Sequence, residues 1–222
     1  MEINFTPYFT RYEALSQKVD QAFNQVKNEH KECVKCVQGC SDCCHALFDL
    51  TLIEAIYINH KFNQNCEGLE KLKILDAANM ADRKIHRLKK AAYAEFKKDK
   101  NEVKVLGKMA QERVRCPFLN EKDMCAMYED RPLTCRLYGI PTSSGGISHT
   151  CGKTGFTQGD KYPTVNMDIL YKQMYIISEE LVQDIKSKHT KMADMIVPLS
   201  MAILVEYSSE YMGIDNNNDN KK

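Results

Sequence analysis

Apolar residues recur at helical spacing along most of the chain, in segments separated by polar turns. Such spacing places every third or fourth side chain on one face of a helix. Near the start, Thr6-Pro7 is typical of the beginning of a helix. The apolar stripe that follows, and that predicts a long first helix, consists of Phe9, Tyr12, Leu15, Val19, Phe23 and Val26.

Further helices are predicted after residue 50. The residues Thr51-Leu-Ile-Glu54 match a capping box, in which the two side chains bond the first backbone amides of a helix. This helix is expected to continue through about Phe62. The other predicted helical segments are residues 69–98 and 102–113, a helix from about Val165 with the stripe Leu170, Met174, Ile177, Leu181 and Ile185, and an apolar segment at 199–207.

Residues 116–163 interrupt the helical pattern. They hold four of the six prolines, six of the ten glycines and four of the ten cysteines, which predicts loops and turns. So long an irregular segment needs another source of order, and metal binding can supply it. We therefore predict a mostly α fold with an irregular cysteine-rich region organised around a metal centre. One domain is expected at 1–214, with the cysteine cluster at 33–152 and a disordered tail at 215–222.

Composition changes this picture only through cysteine. The net charge of +1, 43% hydrophobic residues and 27% charged residues are ordinary for a globular protein and do not indicate nucleic acid or membrane. Neither an export signal nor an apolar run long enough to span a bilayer is apparent. The expectation is a cytoplasmic protein without a membrane partner, whose thiols stay reduced.

Ten reduced cysteines need a chemical explanation, and five of them fall between Cys33 and Cys44. Thiolates are ligands for zinc and for iron–sulfur clusters, so the cluster predicts a metal centre. Cys66 stands apart and is predicted to be an ordinary core residue. The candidate ligands are Cys36, Cys40, Cys43, Cys44, Cys116, Cys125, Cys135 and Cys151.

The first four candidates can converge whether residues 36–44 form a helix or a loop around Gly39. On a helix they would share an arc of about 100°. The adjacent pair Cys43-Cys44 is awkward for a single ion, because neighbouring side chains diverge. The pair therefore favours a cluster or two sites over one zinc ion, and we lean slightly to iron–sulfur. Eight thiols allow either one site with spare cysteines or two sites.

Several neighbouring residues have open roles. Arg131 and Arg136 either offset the negative charge of the thiolates or are ordinary residues of a turn. His45 and His149 adjoin the cysteines and are expected beside the metal rather than on it. The spacing of Cys36, Cys40 and Cys43 also matches the loop of radical-SAM enzymes, but the helical surroundings do not fit their α/β barrel.

Taken together, these motifs resemble the YkgJ-type cysteine-cluster family, described as a zinc- or iron-chelating domain. Cys33 is an extra thiol relative to that pattern. A more distant similarity to flagellin lysine N-methylase implies that lysine N-methylation is conceivable here. The motifs that carry the resemblance are Gly39-Cys40-Ser41-Asp42-Cys43-Cys44, Cys116-Pro117-Phe118-Leu119, Cys125, Tyr128, Arg131-Pro132, Cys135-Arg136 and Cys151.

Three functions remain open at this stage. The first is a metal-chelating protein with a structural or redox role, and the second is an iron–sulfur enzyme that modifies protein side chains. The third is a zinc-stabilised adaptor using the basic segment 71–115, which has a net charge of +8, to bind an acidic protein or nucleic acid. We favour a solvated helix face for this segment and regard nucleic acid as the weaker partner. No residue is predicted to be catalytic.

Overall fold

The computed structural model describes residues 3–37, 39–157 and 159–214. Within these residues the fold is mostly α, as predicted, and no helix is both long and apolar enough to cross a bilayer. The predicted tail at 215–222 lies outside the described residues. The elements are α1 (Thr6–Glu29), β1 (Asp49–Thr51), α2 (Leu52–Asn65), α3 (Gly68–Asp99), α4 (Glu102–Gln111), α5 (Leu133–Leu137), β2 (Thr142–Ser144), β3 (Ile147–His149), β4 (Val165–Asn166), α6 (Met167–Asp184), β5 (Ile196–Pro198) and α7 (Leu199–Leu204).

Helix α2 lies at the centre of the hydrophobic core. Every residue from Leu52 to Ile58 is buried, because α1, α6 and α7 pack around this helix. The predicted stripe of α1 supplies buried side chains such as Tyr12 and Val19. Just after α2, Cys66 is only 3% exposed and its sulfur lies 3.9 Å from that of Met127. Cys66 therefore belongs to the core, as its isolation in the sequence suggested.

The start of α2 differs from the predicted capping box. Thr51 is the N-cap residue, but its hydroxyl contacts the Met174 sulfur at 3.6 Å instead of a helix amide. The Ile53 amide donates to the hydroxyl of Ser178 on α6, at 3.1 Å. The capping-box prediction is wrong because this helix start is buried, and residues of other elements satisfy its polar groups.

The side chain of Glu54, the glutamate of the predicted capping box, points into the hydrophobic core. Its carboxylate oxygen Oε1 accepts a hydrogen bond from the Tyr12 hydroxyl at 2.7 Å and another from the Leu133 amide at 2.8 Å. Leu133 is the first residue of α5, so Glu54 joins α1 and α2 to the helix that carries Cys135. This buried carboxyl connects the hydrophobic core with the cysteine region.

The strands are short and lie around the helices. β1 pairs antiparallel with β5, and β2 pairs antiparallel with β3 and parallel with β4. Residues 116–163 are largely irregular, as predicted, but they include α5 and the β2–β3 hairpin. Elements of three to five residues are too short to show a helical or strand period, so the sequence pattern did not reveal them.

Candidate metal centre

The described residues 36–37 and 39–42 are not helical, which favours the loop over the helix for this segment. Gly39 adopts a left-handed backbone with φ of +87°, and Cys43–His45 make one 3-10 turn. This turn brings the sulfurs of Cys43 and Cys44 to 4.0 Å from each other. The adjacent pair therefore occupies the end of the loop, from which the two thiols reach different neighbours.

Backbone pairing places Cys116 next to this turn. The Cys116 amide donates to the Cys44 carbonyl at 2.7 Å, and the Val114 amide donates to the His45 carbonyl at 3.0 Å. A short antiparallel pairing thus aligns two segments that are about 70 residues apart in the sequence. The cysteine that follows α4 is brought to the first cysteine group by this pairing.

A tight turn then brings Cys125 back toward Cys116. The Asn120 amide donates to the Met124 carbonyl at 2.9 Å, and the Asn120 side chain accepts from the amides of Lys122 and Met124. Such a side-chain bond to the backbone stabilises a turn. Local hydrogen bonds therefore determine the position of Cys125.

Cys151 is held by Asp42, to which the sequence assigned no role. The Cys151 thiol donates to the Asp42 carboxylate at 3.7 Å, and the Tyr138 hydroxyl donates to the same oxygen at 3.3 Å. Burial opposes ionisation of Asp42, but Arg113 and Lys153 outweigh it and lower its pKa. Asp42 is thus an ionised anchor that joins four separate segments at the edge of the cysteine group.

The thiols of Cys43, Cys44 and Cys135 form a hydrogen-bonded group. Bonds from Cys135 and then from Cys44 lower the pKa of the Cys43 thiol well below its ordinary value. The same bonds, together with burial, raise the pKa of Cys44 and of Cys135. Cys43 is therefore the thiol that ionises first and accepts hydrogen bonds from the other two.

The two arginines have different roles. Burial raises the pKa of Cys36 and Cys125, and the Arg131 guanidinium partly offsets this increase for both. Arg131 also lies over the Tyr128 ring, 4.1 Å from its centroid. Arg136 instead donates to Asp20 of α1 at 2.7 Å and to two backbone carbonyls. Arg131 thus supplies charge to the thiols, whereas Arg136 attaches their loop to α1.

Two adjoining cavities lie among the eight candidate cysteines. The smaller, of about 10 Å³, is lined by Cys36, Cys40, Cys43 and Cys151. The larger, of about 160 Å³, also contacts three of these and is further lined by Cys44, Cys116, Cys125 and Cys135. All eight predicted ligands therefore lie at one or both cavities, and Cys36, Cys40 and Cys43 line both.

These cysteines are not arranged in closed ligand shells. In the described part of the chain, no group of three or more Cys, His, Asp or Glu side chains is arranged ready to hold a metal ion. The thiols bond to one another instead, as Cys43 does with Cys44 and Cys135. Metal binding displaces thiol protons, so small side-chain rotations would have to replace S–H contacts by metal–sulfur bonds.

Cys33, His45 and His149 do not line either cavity. Cys33 is buried and its thiol contacts its neighbour Glu32. Its carbonyl accepts from the Gly155 amide at 2.8 Å, which gives the residue a structural role. His45 Nδ1 lies 3.0 Å from the Ser41 carbonyl oxygen, and His149 is exposed on β3.

Gly139 provides a direct test of packing beside the smaller cavity. Its φ is +111°, and an added Cβ would lie 2.7 Å from the Cβ of Cys36. We expect Gly139→Ala to displace Cys36, to reduce bound metal, and to lower the free energy of unfolding by about 2–3 kcal/mol. Denaturant unfolding and metal analysis of the purified protein measure these effects.

Gly146→Ala is the matched control for that change. Gly146 also has a positive φ, +77°, but no atom lies within 4 Å of the added Cβ. It therefore carries the cost of backbone strain without the contact with Cys36. Equal metal loss in the two variants would show that the close approach to Cys36 is unimportant.

Comparison with known proteins is consistent with this geometry. A family model named CxxCxxCC, described as "Putative zinc- or iron-chelating domain", matches residues 35–152, which is just over half of the chain. The match begins after Cys33 and ends just after Cys151. No curated protein and no solved structure matches the chain significantly.

Proposed function

The chain belongs to the CxxCxxCC family of metal-chelating domains, and from this premise we propose that its eight clustered cysteines hold two adjoining thiolate metal centres. The first centre uses Cys36, Cys40, Cys43 and Cys151. The second uses the cysteines Cys44, Cys116, Cys125 and Cys135. The observation that carries the proposal is the position of the adjacent pair: Cys43 lines both cavities, whereas Cys44 lines only the larger one.

The mutual influence of the thiols supports this division. After burial, the pKa of Cys36 is raised by Cys40, Cys43 and Cys151, all assigned to the first centre. The pKa of Cys44 is raised by Cys43 and by burial, and then by Cys116 and Cys125. Cys43 is the member in contact with both groups. Cys43 and Cys44, whose sulfurs lie 4.0 Å apart, are therefore assigned to different metals according to their other neighbours.

Cavity size favours different contents for the two centres. About 10 Å³ is room for one water-sized atom, which suits a single ion such as zinc in the first centre. The larger cavity, of about 160 Å³, leaves more room than one ion needs. We therefore propose an iron–sulfur cluster in the second centre, since four cysteines are a common ligand set for such clusters.

The structural consequence is a cross-link between the helical core and the irregular region. The proposed ligands come from the segment that holds Cys36 to Cys44, from the segment after α4, from α5 and from the segment after β3. These segments share few regular backbone hydrogen bonds, so metal–thiolate bonds would contribute much of their order. The proposed role is therefore structural, and a bound cluster would add the capacity for one-electron redox chemistry.

The test is a metal count on anaerobically purified protein with two single variants. We expect Cys151→Ser to lose the metal of the first centre and Cys116→Ser that of the second. Zinc, iron and acid-labile sulfide are measured together with the visible absorption spectrum. Loss of iron and colour in Cys116→Ser alone would support the assignment of the cluster.

Two results would contradict the proposal. Wild-type protein without stoichiometric zinc or iron would exclude chelation by these thiols. If both variants lost all metal to the same extent, a single shared centre would replace the two proposed here. Cys66→Ser is the control, because its thiol lies in the hydrophobic core next to Met127 and should not affect the metal content.

A further inference from the structure

Helices α3 and α4 enclose an apolar groove that lies outside the cysteine group. One wall is formed by Ala92, Tyr93 and Phe96 of α3, and the opposite wall by residues 105–110 of α4. Leu47 and Phe48 form part of its lining. The groove has a volume of about 560 Å³, which is enough for several side chains.

The apolar side of α4 is largely uncovered. Val105 is its one buried residue, whereas Leu106 is 58% exposed. Across the groove, Tyr93 is 60% exposed. Exposed large side chains that line one concave surface are typical of binding sites, since scattered apolar residues do not form such a surface.

Ion pairs hold α4 in place without covering this side. Lys104 pairs with Asp99 at 2.6 Å and with Glu95 at 3.4 Å, and Lys108 pairs with Glu95 at 2.5 Å. These contacts attach α4 to α3 through their polar residues. The apolar side chains of α4 therefore remain available to a partner.

The groove lining includes Asp49, Lys89 and Glu102, and Lys89 pairs with Asp49, but the helices that form the groove are basic as a whole. Lys97 lies over the Tyr93 ring at 4.7 Å from the centroid, and Lys100 lies over the Phe96 ring at 5.7 Å. Within the described residues, neither lysine forms an ion pair with a carboxylate. Residues 71–115 carry a net charge of +8, whereas the rest of the chain carries −7. The positive charge is thus concentrated on α3, α4 and the segment that follows them.

We propose that this groove docks an acidic amphipathic helix of a partner protein. Apolar side chains of that helix, spaced three and four residues apart, would pack between Tyr93 and Leu106. Its carboxylates would face Lys97 and Lys100, which gives the complex electrostatic complementarity. A second copy of this chain fits less well, because the basic surfaces formed by α3 and α4 of the two copies would repel each other. Nucleic acid does not use an apolar groove of Leu, Met and Val side chains.

The docked helix would lie close to the cysteine group. Leu47 and Phe48 line both this groove and the larger cavity that contacts Cys44. These two residues follow Cys44 by three and four positions in the sequence. The proposed surface thus places a partner one layer of side chains away from the thiols.

The test uses the full-length metal-loaded protein and a fluorescein-labelled synthetic peptide. The peptide is designed to form an amphipathic helix. It has Leu or Phe at positions i, i+3, i+4 and i+7, and mainly Glu at the other positions. We expect saturable binding by fluorescence anisotropy, and a loss of affinity of about tenfold or more for Leu106→Gln. Leu72→Gln, at a residue on α3 that is also exposed (59%) but outside the groove, should leave the affinity unchanged.

The proposal would be overturned if the folded protein did not bind the peptide, or if it bound a scrambled peptide without an apolar face equally well. Equal affinity of Leu106→Gln, or displacement of the peptide by an oligonucleotide, would also contradict it. A dimer in sedimentation experiments that Leu106→Gln dissociates would assign the groove to a second copy and would overturn it as well. Both variants change exposed residues, and circular dichroism checks that they fold.

Discussion

Cys43→Ser is expected to remove the metal of the first proposed centre, to weaken metal binding at the second, and to lower the melting temperature by about 10 °C or more. The variant removes the thiol that lines the smaller cavity and that bonds to Cys135 and Cys44 beside the larger one. Serine is a poor ligand for zinc and iron–sulfur clusters, because its hydroxyl stays protonated. A loss of about 3–4 kcal/mol corresponds to such a shift in a chain of this size.

The measurements are metal analysis, calorimetry and limited trypsin digestion. Loss of the cross-link should expose the irregular region, so cleavage after Arg115 and Arg136 should become faster. Cys33→Ser is the matched control, since this nearby cysteine contacts Glu32 and lies apart from the candidate ligands. If Cys43→Ser kept the metal of the first centre, Cys43 would not be one of its ligands.

Much of the fold could be predicted because helical periodicity is a local property. The predicted start at Thr6 is the observed start of α1, and the predicted segment 69–98 became Gly68–Asp99. The family was also predicted, because its cysteine motifs are local in sequence, and the match over 35–152 confirms it. These features need no knowledge of distant contacts.

Other features depend on contacts between residues that are distant in the sequence. The spacing of apolar residues carries no information about such contacts. Thr51 and Glu54 match a capping box in sequence, but burial of α2 directs both side chains to α6, α1 and α5. Asp42 gained a role only when the chain brought Cys151 and Tyr138 to it. Which cysteine adjoins which followed from backbone pairing such as that of Cys116 with Cys44.

The short elements of the cysteine region were missed for a related reason. A five-residue helix such as α5 completes little more than one turn, so it has no repeating apolar face. Its position depends on Glu54, which accepts the Leu133 amide, and on Arg136, which bonds to Asp20. Such elements are stabilised by tertiary contacts, and a pattern search along the sequence does not detect these.

Glu54→Leu is expected to lower the free energy of unfolding by about 3 kcal/mol. The substitution leaves the Tyr12 hydroxyl and the Leu133 amide buried without their acceptor, and each lost partner costs about 1–3 kcal/mol. Leucine has no polar group to bury, so the variant avoids the desolvation cost of the Glu54 carboxyl, and this offsets part of the loss. Because the Leu133 amide begins α5, the irregular region should also become more sensitive to proteases. Urea unfolding and digestion measure the two effects.

Glu54→Gln separates hydrogen bonding from charge, because its amide oxygen can still accept both bonds. Burial raises the pKa of Glu54 above its ordinary value of 4.5, so the folded state holds this proton more tightly than the unfolded state. Its contribution to stability is therefore fully present below pH 4.5 and is lost as pH rises through the folded-state pKa. Glutamine has no such titration. Wild-type stability relative to Glu54→Gln should thus fall with rising pH, and a constant difference in urea unfolding across that range would contradict a raised pKa.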